Sequence, residues 1–356
     1  MYRLTDIYKK YWSEFLKKPN MYIAPRIFKA VNQTMACQTK KLGTRVYRCP
    51  ECEQKKVVNH TCKNRFCPRC GYMESRQWAE KLMSILALIR HHHVVFTLPE
   101  RLLPLVLRYP KVMYNAMFTS SSRVLKKWFQ HKHNLKPGIV AVLHTSGFAL
   151  KRHIHLHVLV TGGGIRNGKW HELKRNYLTR IDHFRKRFQW RFENELLSAL
   201  NRDEMCTVGE IELKRLFKEL NRERWVVAVQ KGLDEPWKVV RYIGRYIKRA
   251  PITEQSIDDG IVRFKSKNSR GKPRRVVVSL PSDEFLRRLL SHVPLEGFHM
   301  VRYYGVYQGR CVAVSPSNRE EHIKLTDFDP LRCSRCGDML VYCGMEFPML
   351  AYAKTG

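Results

Sequence analysis

The chain has 356 residues, 44% of them hydrophobic, and its 66 Lys and Arg outnumber 31 Asp and Glu to give a formal charge of +35. This charge is spread along the whole chain, which implies a polyanionic partner, and nucleic acid is the commonest of these. No apolar stretch is long enough to span a bilayer and no export signal is evident. The sequence therefore argues against a membrane protein and against a disulfide framework built from its eleven cysteines.

The N-terminal region is predicted to bind zinc. Its first 35 or so residues are expected to form a helical arm that packs on the adjoining part of the chain. Two Cys-x-x-Cys sequences come next, Cys49-Pro-Glu-Cys52 and Cys67-Pro-Arg-Cys70. Four thiolates at this spacing are typical of a tetrahedral zinc ribbon, and Cys62 is a fifth candidate ligand. We therefore expect structural Zn²⁺ in this region.

Neighbouring residues leave the ligand set and the role of this region open. Cys37 and His60 lie close by in the sequence, so one ligand could be exchanged or a second ion bound. Lys63, Arg65 and Arg69 accompany the cysteines and favour a role in DNA docking. The alternative is a ribbon that only braces the domain.

A second domain is expected to begin near residue 89, after a helix. The residues 91–99 have the composition of a strand, a helical stretch occupies roughly 102–132, and another strand covers 139–145. The loop from this strand to the next, at 153–160, is short. We therefore predict that these two strands pair as an antiparallel hairpin.

The strand at 153–160 has a histidine at every second position, at His153, His155 and His157. Successive residues lie on opposite faces of a strand, so its aliphatic residues would face a core and its imidazoles the other side. Imidazole is the commonest metal ligand, so we interpret this face as a metal site rather than an ordinary polar face. The hairpin would bring His144 close as a third ligand, with His153 and His93 as rivals.

A pair of tyrosines follows a basic helical insertion near 171–220 and a strand at 224–230. On a helix, Tyr242 and Tyr246 would share one face beside an apolar stripe. The other flank is basic, with Arg241, Arg245, Lys248 and Arg249. Two tyrosines at this spacing are more often core or rim residues, but the histidine strand favours a catalytic role.

This combination of residues suits phosphodiester chemistry. A tyrosine hydroxyl, with a pKa of about 10, is a poor nucleophile unless cations stabilise its phenolate. A divalent ion on the histidines could polarise a phosphodiester, while the arginines favour both phenolate and phosphate. Attack would attach DNA through a phosphotyrosine and release a 3′ hydroxyl, so that rejoining needs no ATP. Two tyrosines would permit two successive strand transfers.

The remaining elements complete an α+β fold. Strands at 261–266 and 274–280 are expected to form a basic hairpin, followed by a helix at 282–291 and a strand near 299–307. Beyond them, Cys333-Ser-Arg-Cys336, with Cys343 further on, is weak evidence for zinc, because a fourth ligand is not evident.

We predict three parts: a zinc-binding, DNA-docking region (1–88), a catalytic domain with the helical insertion (89–310) and a C-terminal tail (311–356).

Several motifs resemble those of known families. His155-Leu156-His157 resembles the histidine–hydrophobe–histidine motif of HUH endonucleases. Residues from about 35 to 340 resemble the insertion sequence 91 family of two-tyrosine rolling-circle transposases. The motifs that carry this resemblance are Thr61–Cys70, Val94–Pro99, Val142–Thr145, His153–Gly164, Tyr242–Arg249, Phe285–Arg288, His292–Pro294 and Arg302–Gly305.

The resemblance implies an HUH-endonuclease-like antiparallel sheet flanked by helices, with the paired histidines on a central strand, after an N-terminal zinc-ribbon-like domain. It implies a transposase that nicks and joins single strands with Mg²⁺ or Mn²⁺ on His155 and His157 and with Tyr242 and Tyr246 as the catalytic pair. The family usually has His-Pro near His153, and the departure here leaves the role of His153 open.

The resemblance also implies partners and a location. Single-stranded DNA at the element ends and target DNA would be the substrates of a cytoplasmic, nucleoid-associated bacterial enzyme. No GxxxxGK[ST] nucleotide motif is present, so host replication or helicase factors, or the structure of the DNA itself, would have to open the duplex.

Two other functions stay open at this point. A plasmid rolling-circle replication initiator or a relaxase would share the histidine pair and the tyrosine nucleophile but act at an origin. A zinc-dependent DNA-binding regulator would lack catalysis, and changing both tyrosines to phenylalanine would be harmless to it.

Overall fold

The structure is a computed structural model. It describes residues 4–19, 22–64, 66–86, 89–174, 178, 181–223, 225–230, 240, 252, 255–268, 274–309, 323 and 329–347.

Helices and strands are interspersed along the described chain. The helices are α1 (Leu4–Leu16), α2 (Pro25–Ala36), α3 (Pro68–Ile85), α4 (Leu103–Arg108), α5 (Pro110–His133), α6 (Ile181–Asn201), α7 (Glu210–Leu220) and α8 (Ser282–Leu290). The strands are β1 (Thr44–Arg48), β2 (Lys55–Asn59), β3 (His91–Thr97), β4 (Gly138–Ser146), β5 (Arg152–Thr161), β6 (Gly163–Arg166), β7 (Lys169–Glu172), β8 (Val226–Val229), β9 (Gln255–Asp258), β10 (Ile261–Asn268), β11 (Arg274–Pro281), β12 (Val301–Gly305) and β13 (Val341–Glu346).

Five of the described strands form an antiparallel sheet in the order β12-β4-β5-β3-β8. The strand β5, with its alternating histidines, lies in the middle. Its register with β4 pairs His144 with His155 and Val142 with His157. The predicted hairpin and the predicted α+β fold with an antiparallel sheet are therefore confirmed.

Both faces of this sheet are covered by apolar residues. The even-numbered aliphatic residues of β5 are at most 1% exposed and share a core with α5 and α6. Burying each such side chain stabilises the fold by roughly 1.5–3 kcal/mol. On the other face, Leu159 belongs to a cluster that includes Trp78 of α3 and Val240. The histidines thus lie at one end of a sheet that is rigidly packed on both sides.

Two helical predictions differ from the structure. The expected helix at 102–132 is divided into α4 and α5, because Pro110 has no backbone N–H and begins α5 instead of continuing α4. The expected helical region at 171–220 is preceded by the hairpin β6–β7, which turns at Asn167 and Gly168, both with positive φ. Asn-Gly is a strong hairpin signal.

The N-terminal arm packs on residues far along the chain. Buried residues of α1, including Tyr8, share a core with Phe264 of β10 and Phe285 of α8. An ion pair of 2.6 Å between Lys18 and Asp283 adds to this contact. The predicted division near residue 88 therefore does not separate two independent cores.

The C-terminal strand joins the cysteine-rich hairpin. β1 pairs with β2 on one side and with β13 on the other, both antiparallel, to form a three-stranded sheet. The edge of β1 that the β1–β2 hairpin leaves open is thus hydrogen bonded by a strand almost 300 residues later in the sequence. Residues 329–347, predicted as part of a tail, are instead built into this sheet.

Candidate metal centres

Three histidines on neighbouring strands form a compact cluster. Each of His144, His155 and His157 offers a ring nitrogen, and these nitrogens lie within 4.8 Å of one another. The His144 ring centroid is 4.4 Å from that of His157 and 5.2 Å from that of His155. The antiparallel register of β4 and β5 brings them together, and three imidazole nitrogens at this separation can bind one divalent ion.

The hydrogen bonds of two of these histidines define which nitrogen faces the cluster. His155 Nδ1 donates to the backbone carbonyl of His153 at 3.0 Å, so its Nε2 carries the lone pair. His157 Nδ1 lies 2.8 Å from His93 Nε2, and His93 Nδ1 lies 3.0 Å from Gln230 Oε1.

Gln230 Oε1 can only accept, so His93 Nδ1 must donate to it. The other nitrogen of a neutral His93 is then an acceptor, and His157 Nδ1 must donate to it. His157 therefore also carries its lone pair on Nε2. A ring N–H bonded to a second partner in this way is typical of metal-binding histidines.

The surroundings favour neutral imidazoles, which metal binding requires. Burial, with the neighbouring His153 adding to the effect, lowers the pKa of His155 to about 4. Burial likewise lowers the pKa of His144 and His157 well below the ordinary range, with neighbouring imidazoles adding to the effect. The three imidazoles are therefore uncharged at neutral pH.

The two other candidates for the third metal ligand, His153 and His93, lie outside the cluster. His153 is exposed and contributes its backbone carbonyl to His155. His93 hydrogen bonds to the far side of His157 from β3. Within the described residues, the compact group consists of His144, His155 and His157. The signal that identified His144 was its position at the end of the predicted hairpin, whereas no pattern in the sequence indicated Gln230.

Eight of the ten described cysteines form two groups of four. One contains Cys37, Cys62, Cys67 and Cys70, and the other contains Cys49, Cys52, Cys333 and Cys336. In each group the four sulfur atoms lie within 4.8 Å of one another, and sets of four thiolates are typical of structural zinc sites.

The grouping of the Cys-x-x-Cys sequences differs from the predicted ribbon. Cys67 precedes the first residue of α3, so Cys67 and Cys70 begin a helix instead of closing a hairpin turn. They lie beside Cys37 and Cys62. The sulfur atom of Cys70 is 3.6 Å from that of Cys37 and 3.7 Å from that of Cys62. Cys49 and Cys52 lie in the β1–β2 turn, with the C-terminal pair. The four cysteines of the predicted ribbon, Cys49, Cys52, Cys67 and Cys70, are therefore divided between two groups, which agrees with the alternative of an exchanged ligand and a second ion.

Some of the residues assigned to DNA contact lie near the first cysteine group. Lys63 is exposed and follows Cys62 with a φ of +50°, while Arg69 donates a hydrogen bond to the Gln38 side chain. The other predicted catalytic and DNA-binding residues lie outside the described residues: Tyr242, Tyr246, Arg65, Arg241, Arg245, Lys248 and Arg249.

Sequence comparisons agree with this architecture. The family described as "Putative transposase" matches residues 138–314, which include the histidine cluster, and the family described as "Transposase zinc-binding domain" matches residues 7–98. The "Putative transposase y4qJ" of Sinorhizobium fredii is 30% identical over 321 residues, which cover 86% of this chain and 80% of the relative. The chain belongs to the insertion sequence 91 family of transposases.

A further relative supports this assignment. The "Transposase for insertion sequence element IS801" of Pseudomonas savastanoi pv. phaseolicola is 28% identical over 343 residues, covering 88% of this transposase and 82% of the relative. No solved structure matches the transposase. Among its described helices, none has the length and apolar character needed to cross a bilayer.

Proposed function

We propose that this transposase nicks and joins single-stranded DNA through 5′-phosphotyrosine intermediates in a rolling-circle mechanism, with Tyr242 and Tyr246 as nucleophiles. The main support is the cluster of His144, His155 and His157, whose ring nitrogens converge within 4.8 Å on the central β5 and its neighbour β4. A set of three neutral imidazoles in a DNA-processing enzyme is suited to binding a divalent ion.

The described residues fit such an ion. A bound Mg²⁺ or Mn²⁺ would polarise the scissile phosphodiester and stabilise the charge that develops on its oxygens. Mg²⁺ prefers oxygen ligands, whereas this cluster supplies nitrogen, so Mn²⁺ is the better ion with which to test the site. His155 and His157 would hold such an ion through their Nε2 atoms, because their Nδ1 atoms donate hydrogen bonds to other partners.

Val240, two residues before the first proposed nucleophile, packs near the histidines. Val240 is 1% exposed and belongs to the buried cluster that contains Val142 and Leu159. Val142 is paired with His157 in the sheet, and Leu159 is two residues from it on the same face. Two residues of chain span at most about 7 Å, and Tyr242 is two residues after Val240.

In the proposed reaction, a tyrosine phenolate oxygen attacks the phosphorus atom of the scissile bond. A bond forms between this oxygen and phosphorus, the bond from phosphorus to the 3′ oxygen breaks, and that oxygen takes up a proton. The DNA on the 3′ side stays attached to the protein through its 5′ phosphate, and the reverse reaction with another 3′ hydroxyl joins the strands. The net charge of +35 favours the association of single-stranded DNA with the enzyme.

The test uses single-stranded DNA from the ends of the element, labelled at its 3′ terminus so that a 5′-phosphotyrosine adduct keeps the label. With Mn²⁺, we expect a covalent adduct on a denaturing gel for the wild type, Tyr242→Phe and Tyr246→Phe, and none for the double variant. His157→Ala should reduce adduct formation at least 100-fold, because it removes a ligand of the ion.

The matched control is Tyr22→Phe, since Tyr22 is 86% exposed and remote in sequence from the proposed nucleophiles. It should form as much adduct as the wild type. An adduct that persists in the double variant would show that another residue is the nucleophile, and equal activity of His157→Ala would show that the histidine cluster is not part of the reaction.

A further inference from the structure

The turn between β1 and β2 has a specific set of backbone hydrogen bonds. The N–H of Cys49 donates to the carbonyl of Gln54 at 3.0 Å, and the N–H of Glu53 donates to the carbonyl of Cys49 at 3.0 Å. Glu53, which follows Cys52, has a φ of +56°. A backbone N–H of Gln54 also donates to the Cys52 sulfur. In this turn the sulfur atoms of Cys49 and Cys52 lie within 4.8 Å of each other.

The turn before β13 repeats this arrangement at the other end of the chain. The N–H of Cys333 donates to the carbonyl of Asp338 at 2.7 Å, and the N–H of Gly337 donates to the carbonyl of Cys333 at 3.0 Å. Gly337, which follows Cys336, has a φ of +81°. A backbone N–H of Asp338 donates to the Cys336 sulfur. The two turns are thus equivalent position by position, although only the Cys residues are common to their sequences.

The four sulfur atoms of the two turns have the separations of a tetrahedral site. Cys49 and Cys336 lie 3.4 Å apart, and Cys52 lies 3.6 Å from both Cys333 and Cys336. Zinc–sulfur bonds of about 2.3 Å in a tetrahedron require sulfur atoms roughly 3.8 Å apart. A disulfide requires about 2.05 Å. The observed distances therefore fit four thiolates around one ion and not two disulfides.

The residues around the sulfurs hold the two turns together. Cys49 and Cys333 are buried beside Leu340, and β13 is hydrogen bonded along β1. The rings of Tyr47 and Tyr342 meet edge to face with centroids 5.6 Å apart. Residues 44–59 and 341–346 thus meet in one small sheet, and the two turns that carry the sulfur cluster adjoin it.

We propose that Cys49, Cys52, Cys333 and Cys336 bind a zinc ion, distinct from any ion held by Cys37, Cys62, Cys67 and Cys70, that fastens the C-terminal segment 329–347 to the N-terminal hairpin. The region that matches the zinc-binding family ends at residue 98, so it includes only half of this ligand set. The proposal does not depend on the catalytic mechanism proposed above.

Metal analysis of the purified full-length protein tests the proposal. We expect Cys333→Ser/Cys336→Ser to contain about one zinc ion per chain fewer than Cys206→Ser/Cys343→Ser. The second variant is the matched control, because it removes the same number of cysteines from exposed positions outside both groups. Both variants retain the histidine cluster, so any metal bound there contributes equally to the two zinc contents. The difference between them therefore reports the proposed site alone. Equal zinc contents would overturn the proposal.

Alkylation of the wild-type protein gives a second test that no folding defect can affect. Cys336 and Cys343 are both exposed, so they should react with iodoacetamide at similar rates if both are free thiols. If Cys336 binds zinc, it should react at least tenfold more slowly than Cys343. After the zinc is removed by a chelator, Cys336 should react as fast as Cys343. Peptide mass spectrometry measures both rates. Equal rates before chelation would contradict the proposal.

Discussion

The orientation of His157 depends on residues that are not themselves in the cluster. His93 accepts the Nδ1 proton of His157 and in turn donates to Gln230, so the chain of hydrogen bonds runs away from the histidine cluster. Such outer partners hold the ligating ring in one orientation and keep the correct nitrogen free. His93 is therefore a positioning residue in the proposed site, not a ligand.

This role predicts that His93→Ala weakens Mn²⁺ binding at the cluster by about 10–100-fold, because His157 loses the acceptor for its Nδ1 proton. The binding constant can be measured from the loss of the free Mn²⁺ signal in electron paramagnetic resonance. His153→Ala is the control, since alanine retains the backbone carbonyl that accepts from His155. If His153→Ala weakened Mn²⁺ binding and His93→Ala did not, His153 would be a ligand of the ion and His93 would have no positioning role.

At the scale of elements, the end of β5 depends on its run of glycines. Gly163 pairs with Glu172 in the hairpin β6–β7. A Cβ atom on Gly163 would lie 2.3 Å from the carbonyl oxygen of His171 and 3.0 Å from the Cα of Glu172. These are backbone atoms, so they cannot shift without disturbing the pairing of β6 and β7. The glycine run therefore allows the hairpin to fold back closely after the histidine strand.

We predict that Gly163→Ser lowers the free energy of unfolding by about 1–3 kcal/mol, because the added side chain overpacks this contact. Gly209→Ser is the matched control. Gly209 precedes α7 with a φ of −77°, a Cβ there would meet nothing within 4 Å, and serine is a favourable residue before a helix. Urea denaturation should show a loss for the first variant only; a similar loss in both would refute the packing argument.

At the scale of the whole molecule, distant parts of the chain share cores and sheets. Helix α1 packs with α8 and with the sheet of β9–β11, and β13 pairs with β1. The region that begins the chain is thus completed by residues from its second half. Because loop-closure entropy grows slowly with length, such long-range contacts cost little more than shorter ones.

Buried neutral histidines should make the whole fold sensitive to acid. Burial lowers the pKa of His91 and His292 to about 4, and each is hydrogen bonded, His91 to Tyr307 and His292 to the Leu150 carbonyl. In the unfolded chain they would take up protons near pH 6.5. Between pH 6.5 and 4 the unfolded state therefore binds more protons, and stability falls as pH falls.

The expected loss is up to about 1.4 kcal/mol per pH unit for each of these histidines. Urea denaturation of the wild type and of His91→Asn/His292→Asn at pH 7 and pH 5 measures it. The variant should be less stable at pH 7 but lose less between the two pH values. Comparing the two proteins at each pH cancels any effect of zinc release, and equal losses would disprove the explanation.

The sequence by itself determined the features that depend on neighbouring residues. The alternation of His153, His155 and His157 with aliphatic residues predicted a half-apolar strand, because strand geometry sends successive side chains to opposite faces. The short loop ahead of that strand predicted the hairpin that brings His144 to the cluster. The charge of +35 and the Cys-x-x-Cys spacings likewise indicated nucleic acid and zinc, because charge and local spacing do not depend on how the chain folds.

Only the tertiary structure decided which distant segments meet. Spacing paired Cys49 and Cys52 with Cys67 and Cys70, yet the structure joins them to Cys333 and Cys336. Local patterns describe how each turn presents its thiols, but thiols from any of these turns could complete a tetrahedron. The choice depends on packing: Cys67 and Cys70 lie at the start of α3, whereas β13 extends the sheet of β1. The same holds for His93 and Gln230, which reach His157 only because β3 lies beside β5.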